Sequence, residues 1–281
     1  MKRWSLGLLV LLLSCAALAA GPRGVRKQAE MSMLVTGSVE VARDGSVAGL
    51  DLDQSEKLPE GVVRLIEGAA PHWRFEPARR NGEPVSATAR MSLNLVARRL
   101  EDGNYELGIH HAHFADRNTP DETVEGRDMK PPAYPLDALH AGVTGTVYLL
   151  LRIGEQGTVE DVVPEQVNLR VVGNSHQMDR ARRLLVRASL VAARAWTFEV
   201  PTMGEHADAG AWIVRMPVDY DFEDRRPGYG EWQAYIPGPR QQPDWAPEDD
   251  GAPDALVAGR VHQVGIGMQL LTPLQQEQER G

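Results

Sequence analysis

The strongest constraint on the fold is a phrase that the chain uses twice. Thr36-Gly37-Ser38-Val39, Asp44-Gly45-Ser46-Val47 and Trp73-Arg74-Phe75-Glu76 recur in the same order as Thr144-Gly145-Thr146-Val147, Gln156-Gly157-Thr158-Val159 and Trp196-Thr197-Phe198-Glu199. Self-similarity over such a distance is the mark of one supersecondary unit built more than once. Each copy reads as strand, turn, strand, helix, strand. In the later copy Val147, Leu149, Leu151 and Ile153 alternate along a strand, and Gly154 to Gly157 supply the turn. Asn174 or Ser175 can cap the following helix, where Met178, Ala181, Leu185, Ala188, Ala192 and Ala195 recur at spacings of three and four. That period leaves Arg180, Arg183, Arg187 and Arg194 mostly away from the sheet. The earlier helix is shorter, carried by Val62, Leu65, Ile66 and Ala69, and Pro71 stops it.

The last strand of the later copy alternates most cleanly. Trp212, Val214, Met216, Val218, Tyr220 and Phe222 share one face, and Arg215, Asp219 and Asp221 the other. Pro217 cannot donate a ladder hydrogen bond, so this reads as an edge strand. An exposed edge is either blunted or used to pair with a partner strand. Two expectations follow: the edge takes an extended peptide, or the C-terminal tail covers it. Between the copies, Tyr105 to Phe114 extends the first sheet through a turn at Glu101 to Asn104, and residues 116–130 read as a polar linker. Residues 224–281 are acidic and proline-rich, and read as an irregular extension, wrapped on the domain or loose.

At 281 residues the chain can hold two modest domains, since domains commonly run to roughly 100–200 residues. A formal charge of −9 without a basic stripe argues against nucleic acid as a partner. The first twenty residues open on Lys2 and Arg3, continue through an apolar stretch and end on Ala17-Leu18-Ala19, the layout of a secretory signal. The alternatives are acylation of Cys15 or a retained membrane anchor, although the apolar run is shorter than the roughly 20 residues of a spanning helix. Cys15 is the only cysteine, so a mature chain holds no disulfide and no thiol nucleophile. Export without disulfides is compatible with a bacterial periplasm.

No catalytic constellation is visible. Neither G-x-S-x-G nor H-E-x-x-H occurs, and Gly265-Ile266-Gly267 lacks the third glycine of a dinucleotide loop. His110, His111 and His113, with Asp116 as nearest further ligand, read as a solvated strand end rather than a zinc site. Asp51, Asp53 and Ser55 hint at a calcium loop, but Glu56 stands where that loop needs glycine. Trp73 and Trp196 read as core residues. The expectation is a binding protein with no catalytic residue, cofactor or metal.

Taken together, Pro132, Tyr134-Pro135, Ala138, Gly142, Gly145, Val147, Gly157-Thr158-Val159, the helix and Trp196-x-Phe198 resemble the C-terminal domain of the TonB energy-transducer family. The earlier copy is similar from Gly37 through Trp73-x-Phe75-x-Pro77 and Gly82-x-Pro84-Val85, but lacks the Tyr-Pro opening. The resemblance implies an α+β fold of two small modules, each an antiparallel sheet packed on a helix, plus an irregular tail. The expected layout is a signal peptide at 1–20, a degenerate module at 31–115, a linker at 116–130, a module at 131–223 and the tail at 224–281. The resemblance also implies a periplasmic domain that grips an extended peptide of an outer-membrane transporter as an added strand. The residues expected to do so are Tyr134, Pro135, Trp212, Val214, Arg215, Met216 and Val218. The family's anchor histidine is missing and Gly21 to Gln28 is too short for its periplasmic spacer, so an accessory role is expected before energy transduction. An envelope scaffold, with the modules paired or the chain homodimeric, is the other alternative. If one module binds a partner, it is the one that opens with Tyr134-Pro135.

Overall fold

The computed structural model describes residues 21–80, 82–100, 103–115, 121–204, 206–222, 228–247 and 253–275. The N-terminal segment with Cys15, and Asp116, lie outside them. The fold is mixed α+β with antiparallel sheets. Chain order is α1 (Pro22–Arg26), β1 (Glu30–Val41), β2 (Val47–Leu52), α2 (Glu60–Ala69), β3 (Arg79–Arg80), β4 (Glu83–Pro84), β5 (Ala87–Arg99) and β6 (Tyr105–Ala115). It continues with β7 (Glu125–Asp128), α3 (Leu136–His140), β8 (Gly145–Gly154), β9 (Val159–Leu169), α4 (Ser175–Ala193), β10 (Thr197–Glu199), β11 (Ala211–Tyr220), β12 (Gln233–Tyr235) and β13 (His262–Gln263).

Two sheets carry the two halves. In the first, β1 lies between β5 and the pair β2 and β12, and β6 closes the far side of β5. In the second the order is β13-β11-β8-β9. Each sheet buries its own apolar cluster. Val35, Val39, Ile66, Trp73, Phe75, Leu93 and Phe114 belong to one, and Leu149, Leu151, Leu185, Trp196, Phe198 and Val214 to the other.

The repeated phrase folds into the same hydrogen bonds twice. Gly45 N–H donates to Ala42 O (3.0 Å), Ala42 N–H to Ser46 O (2.8 Å) and Phe75 N–H to Gly45 O (2.8 Å). In the second half Gly157 donates to Gly154 (2.9 Å), Gly154 to Thr158 (3.0 Å) and Phe198 to Gly157 (2.7 Å). Both turn glycines have positive φ, +82° at Gly45 and +72° at Gly157. A Cβ at Gly157 would stand 2.0 Å from Phe198 O, and one at Gly45 2.2 Å from Phe75 O. Glycine is needed here both for the left-handed turn and for the close approach of the Trp-x-Phe strand.

Helix α4 starts as expected: Asn174 Oδ1 accepts from Gln177 N–H (3.0 Å), while Gln177 Oε1 accepts from Asn174 N–H (2.9 Å). Its buried stripe is Met178, Ala181, Leu185, Ser189 and Ala193. That departs from the expected Ala188, Ala192 and Ala195, because the i, i+4 ridge continues through a serine that apolar periodicity passes over. The hydroxyl of Ser189 is satisfied by Leu185 O (2.9 Å) and Tyr220 Oη (2.8 Å).

One segment differs from its reading as linker, and the tail takes the wrapped rather than the loose alternative. Glu125–Asp128, polar throughout, forms strand β7 on β10. The tail is mostly irregular but touches both halves: β12 pairs with β1, β13 pairs with β11, and residues 269–272 run beside Arg74 to Glu76. Phe75 bridges Leu270 just as Phe198 pairs with Gly126. Four residues further on in each strand, a carbonyl accepts a tryptophan indole: Leu274 O from Trp73 Nε1 (2.8 Å) and Lys130 O from Trp196 Nε1 (2.8 Å). The tail therefore does for the first half what the segment before Pro131 does for the second.

Candidate functional site

The outer edge of β11 is where a partner strand was expected, and the inner side of that strand is fully used. β11 pairs with β8 from Ala211↔Gly154 to Tyr220↔Gly145. Ile213 O accepts from Val264 N–H (2.8 Å) and Pro217 O from Gly259 N–H (3.1 Å), so these residues turn their backbone groups outward. Pro217 thus lacks its donor on the outer side, which is how a full-length ladder tolerates it.

This edge is not bare: β13 meets it at Val214↔Gln263 and Arg215↔His262. The coverage is slight beside that of the matching edge in the first half. There β6 pairs with β5 from Arg90↔Ala115 to Arg99↔Tyr105 across one bulge. Both β5 and β11 follow the helix of their half and flank its central strand, so β6 and β13 occupy equivalent places. One is an eleven-residue strand and the other a two-residue strand.

The side chains expected to bind have other occupations. Trp212, Val214, Met216 and Val218 are buried in the second core, and Trp212 Nε1 donates to His206 O (2.8 Å). They shape the strand, and its outer backbone is held by the tail from Ile213 to Pro217. Arg215 points to the opposite face and is also buried. Its guanidinium donates to Glu165 at 2.8 and 3.1 Å, and Arg240 of the tail donates to the same carboxylate at 2.8 and 3.0 Å. A glutamate 1% exposed in β9 is the residue that sequence reasoning passed over. Its signal was a charged residue in the middle of an otherwise half-apolar strand.

Tyr134 packs at the end of β11. Its hydroxyl donates to Val143 O, its ring stacks on Phe222 (centroids 5.7 Å apart, 10° between planes) and meets Tyr220 edge-on at 5.4 Å. Burial, with Asp221 nearby, holds its phenol above the ordinary value. Burial likewise pushes the Tyr220 phenol up to about 12. Pro135 caps α3. Both residues line a groove of about 680 Å³ against α4, with Pro131, Leu136, Ala188 and Val191. No residue of β11 lines it, so the Tyr-Pro pair and the strand edge form two surfaces rather than one.

Among the described residues no cluster of His, Cys, Asp and Glu could hold a metal ion. His111 Nδ1 lies 3.0 Å from Asp254 Oδ1, and His113 packs edge-on against His262. Asp53 accepts from Thr36 Oγ1 (2.6 Å) and Arg90 Nη2 (2.7 Å), and the Thr36 hydroxyl, then Arg90, keep its carboxyl below the usual range. No described helix is long and apolar enough to cross a membrane.

No protein-family model matches the chain and no solved structure matches it significantly. Two curated proteins do: "Protein TonB" of Xanthomonas campestris pv. campestris strain B100 and of strain ATCC 33913, each 34% identical over 97 residues. That stretch is 34% of this chain and 37% of the relative's length. The chain thus carries a TonB-like domain over about a third of its length.

Proposed function

We propose that the chain is a periplasmic protein-binding protein, accessory to TonB-dependent transport, that recognises an extended peptide as a strand added to β11. In this reading the two halves are two TonB C-terminal-like modules, of which the first is degenerate. The observation that carries it is the difference between the two equivalent edges. β6 closes the first along ten paired positions, whereas residues 259–264 cover the second only from Ile213 to Pro217. The chain's own tail already pairs there, so the edge accepts a strand, and the occupant is short enough to yield. Each added backbone hydrogen bond is worth about 0.5–1.5 kcal/mol net. An incoming strand must therefore displace residues 259–264 and extend past Ile213 or Pro217 to make more bonds than they give up.

The partner this reading names is an N-terminal peptide of an outer-membrane receptor from the native host. Its test is Ile213→Pro, which removes an outward-facing N–H and leaves the β8 ladder untouched. Titration calorimetry should show binding weakened at least about tenfold, with the thermal midpoint little changed. Unchanged affinity in a folded variant would sink strand addition.

A further inference from the structure

We infer that the outer face of α4 is a separate interaction surface, built for an extended acidic polypeptide segment. Arg180, Arg183, Arg187 and Arg194 are exposed along it, spaced so that they fall on one side of the helix. At 1.5 Å per residue the stripe is roughly 20 Å long. Arg180 has one ionic neighbour, the exposed Asp137 at 3.2 Å. Among the described residues no carboxylate pairs with Arg183, Arg187 or Arg194. On a chain of net charge −9 this face inverts the overall sign.

The shape beside the charge identifies the partner's form. A groove of about 680 Å³ flanks the helix on one side and one of about 780 Å³ on the other, and Leu184, Arg187 and Val191 border both. Val191 is 65% exposed and Leu136, in the first groove, 67%. Pro164, Val167 and Pro239 line the second groove. All four arginines, with Arg182, line the second groove, and Arg187 alone reaches the first. A groove walled by guanidinium groups and by Pro164, Val167 and Pro239 suits a chain whose carboxylates meet the arginines while its apolar side chains pack on the prolines and valine. Arginine favours this match because its planar fork binds carboxylate in two places. A flat bilayer would meet the exposed arginines without filling either groove. The inference does not depend on strand addition, since neither groove includes a β11 residue.

The probe is a labelled peptide of three Glu-Pro-Val-Glu repeats, with lysine replacing glutamate in the control, titrated into the chain by fluorescence anisotropy. Vesicles of phosphatidylglycerol form a separate arm. The acidic peptide should bind and the lysine peptide should not. The triple variant Arg183→Glu, Arg187→Glu, Arg194→Glu should weaken binding about tenfold, as expected of three exposed ion pairs, and raising salt from about 50 to about 500 mM should do likewise. Should charge reversal lower the melting temperature, Arg→Gln at the same three positions carries the comparison. Ile213→Pro should leave this binding unchanged. Equal binding of both peptides, indifference to the folded triple variant, or binding to vesicles without binding to the peptide would overturn the proposal.

Discussion

Glu165 shows how one residue can redirect an alternating pattern. Binary alternation along β11 places Arg215 on the face away from the core, which for most strands means solvent. Here that face is covered, and the arginine is retained because Glu165 and Arg240 complete an ionic triad around a buried carboxylate. Removing one member of a buried pair leaves the other uncompensated, which commonly costs 3–5 kcal/mol. Glu165→Gln should therefore lower unfolding stability by about 3 kcal/mol in urea titrations; a loss under about 1 kcal/mol would mean that Arg215 finds water. The alternation of β11 was legible in the sequence, but the partner of Arg215 was not, since it lies 50 residues away in another strand. The four arginines of α4 were equally legible as residues pointing outward. What the sequence did not show is that Asp137 is the one carboxylate among the described residues that pairs with any of the four, Asp179 being taken by Arg182.

Elements that bury apolar side chains at a regular period were readable: the strands around Gly45 and Gly157, both longer helices and the β5–β6 hairpin all lie where periodicity and punctuation put them. Strands β7, β12 and β13 were not. They are two to four residues long and mostly polar, and such segments take strand form because a neighbour offers an open edge rather than from their own propensity. Glycine roles separate on the same footing. Gly157 and Gly142 both have positive φ, but a Cβ at Gly142 would meet nothing within 4 Å. Gly142→Ala should cost about 1 kcal/mol, the price of the left-handed backbone alone. Gly157→Ala adds a collision with Phe198 O and should cost at least about 3 kcal/mol. Equal losses for the two variants in thermal melts would show that the strand moves aside freely.

Across the whole molecule, the tail covers the β11 edge, one of the two outcomes that Pro217 and the alternation of β11 led us to expect, but its hold on the first half was not legible in composition or pattern. It braces both halves: Ala255 and Leu256 are buried, Ser92 and Asn94 donate to the carbonyls of Ala255 and Asp254, and Leu274 O holds the Trp73 indole. A chain ending at Gly267 should accordingly loosen its distant half. Amide exchange should rise in α2 and β1 while α4 keeps its protection, and equal protection of both helices in the full and shortened chains would refute the bracing role.

The bond from Trp73 to Leu274 spans 201 positions, and that separation becomes a delay when the chain is made. Ribosomes add about 5–20 residues per second, so the first half waits roughly 10 to 40 s for the residues that complete it. During that time the backbone of Arg74 to Glu76 is an open template. Until Gln269 to Thr272 arrive, that edge has no partner from its own chain.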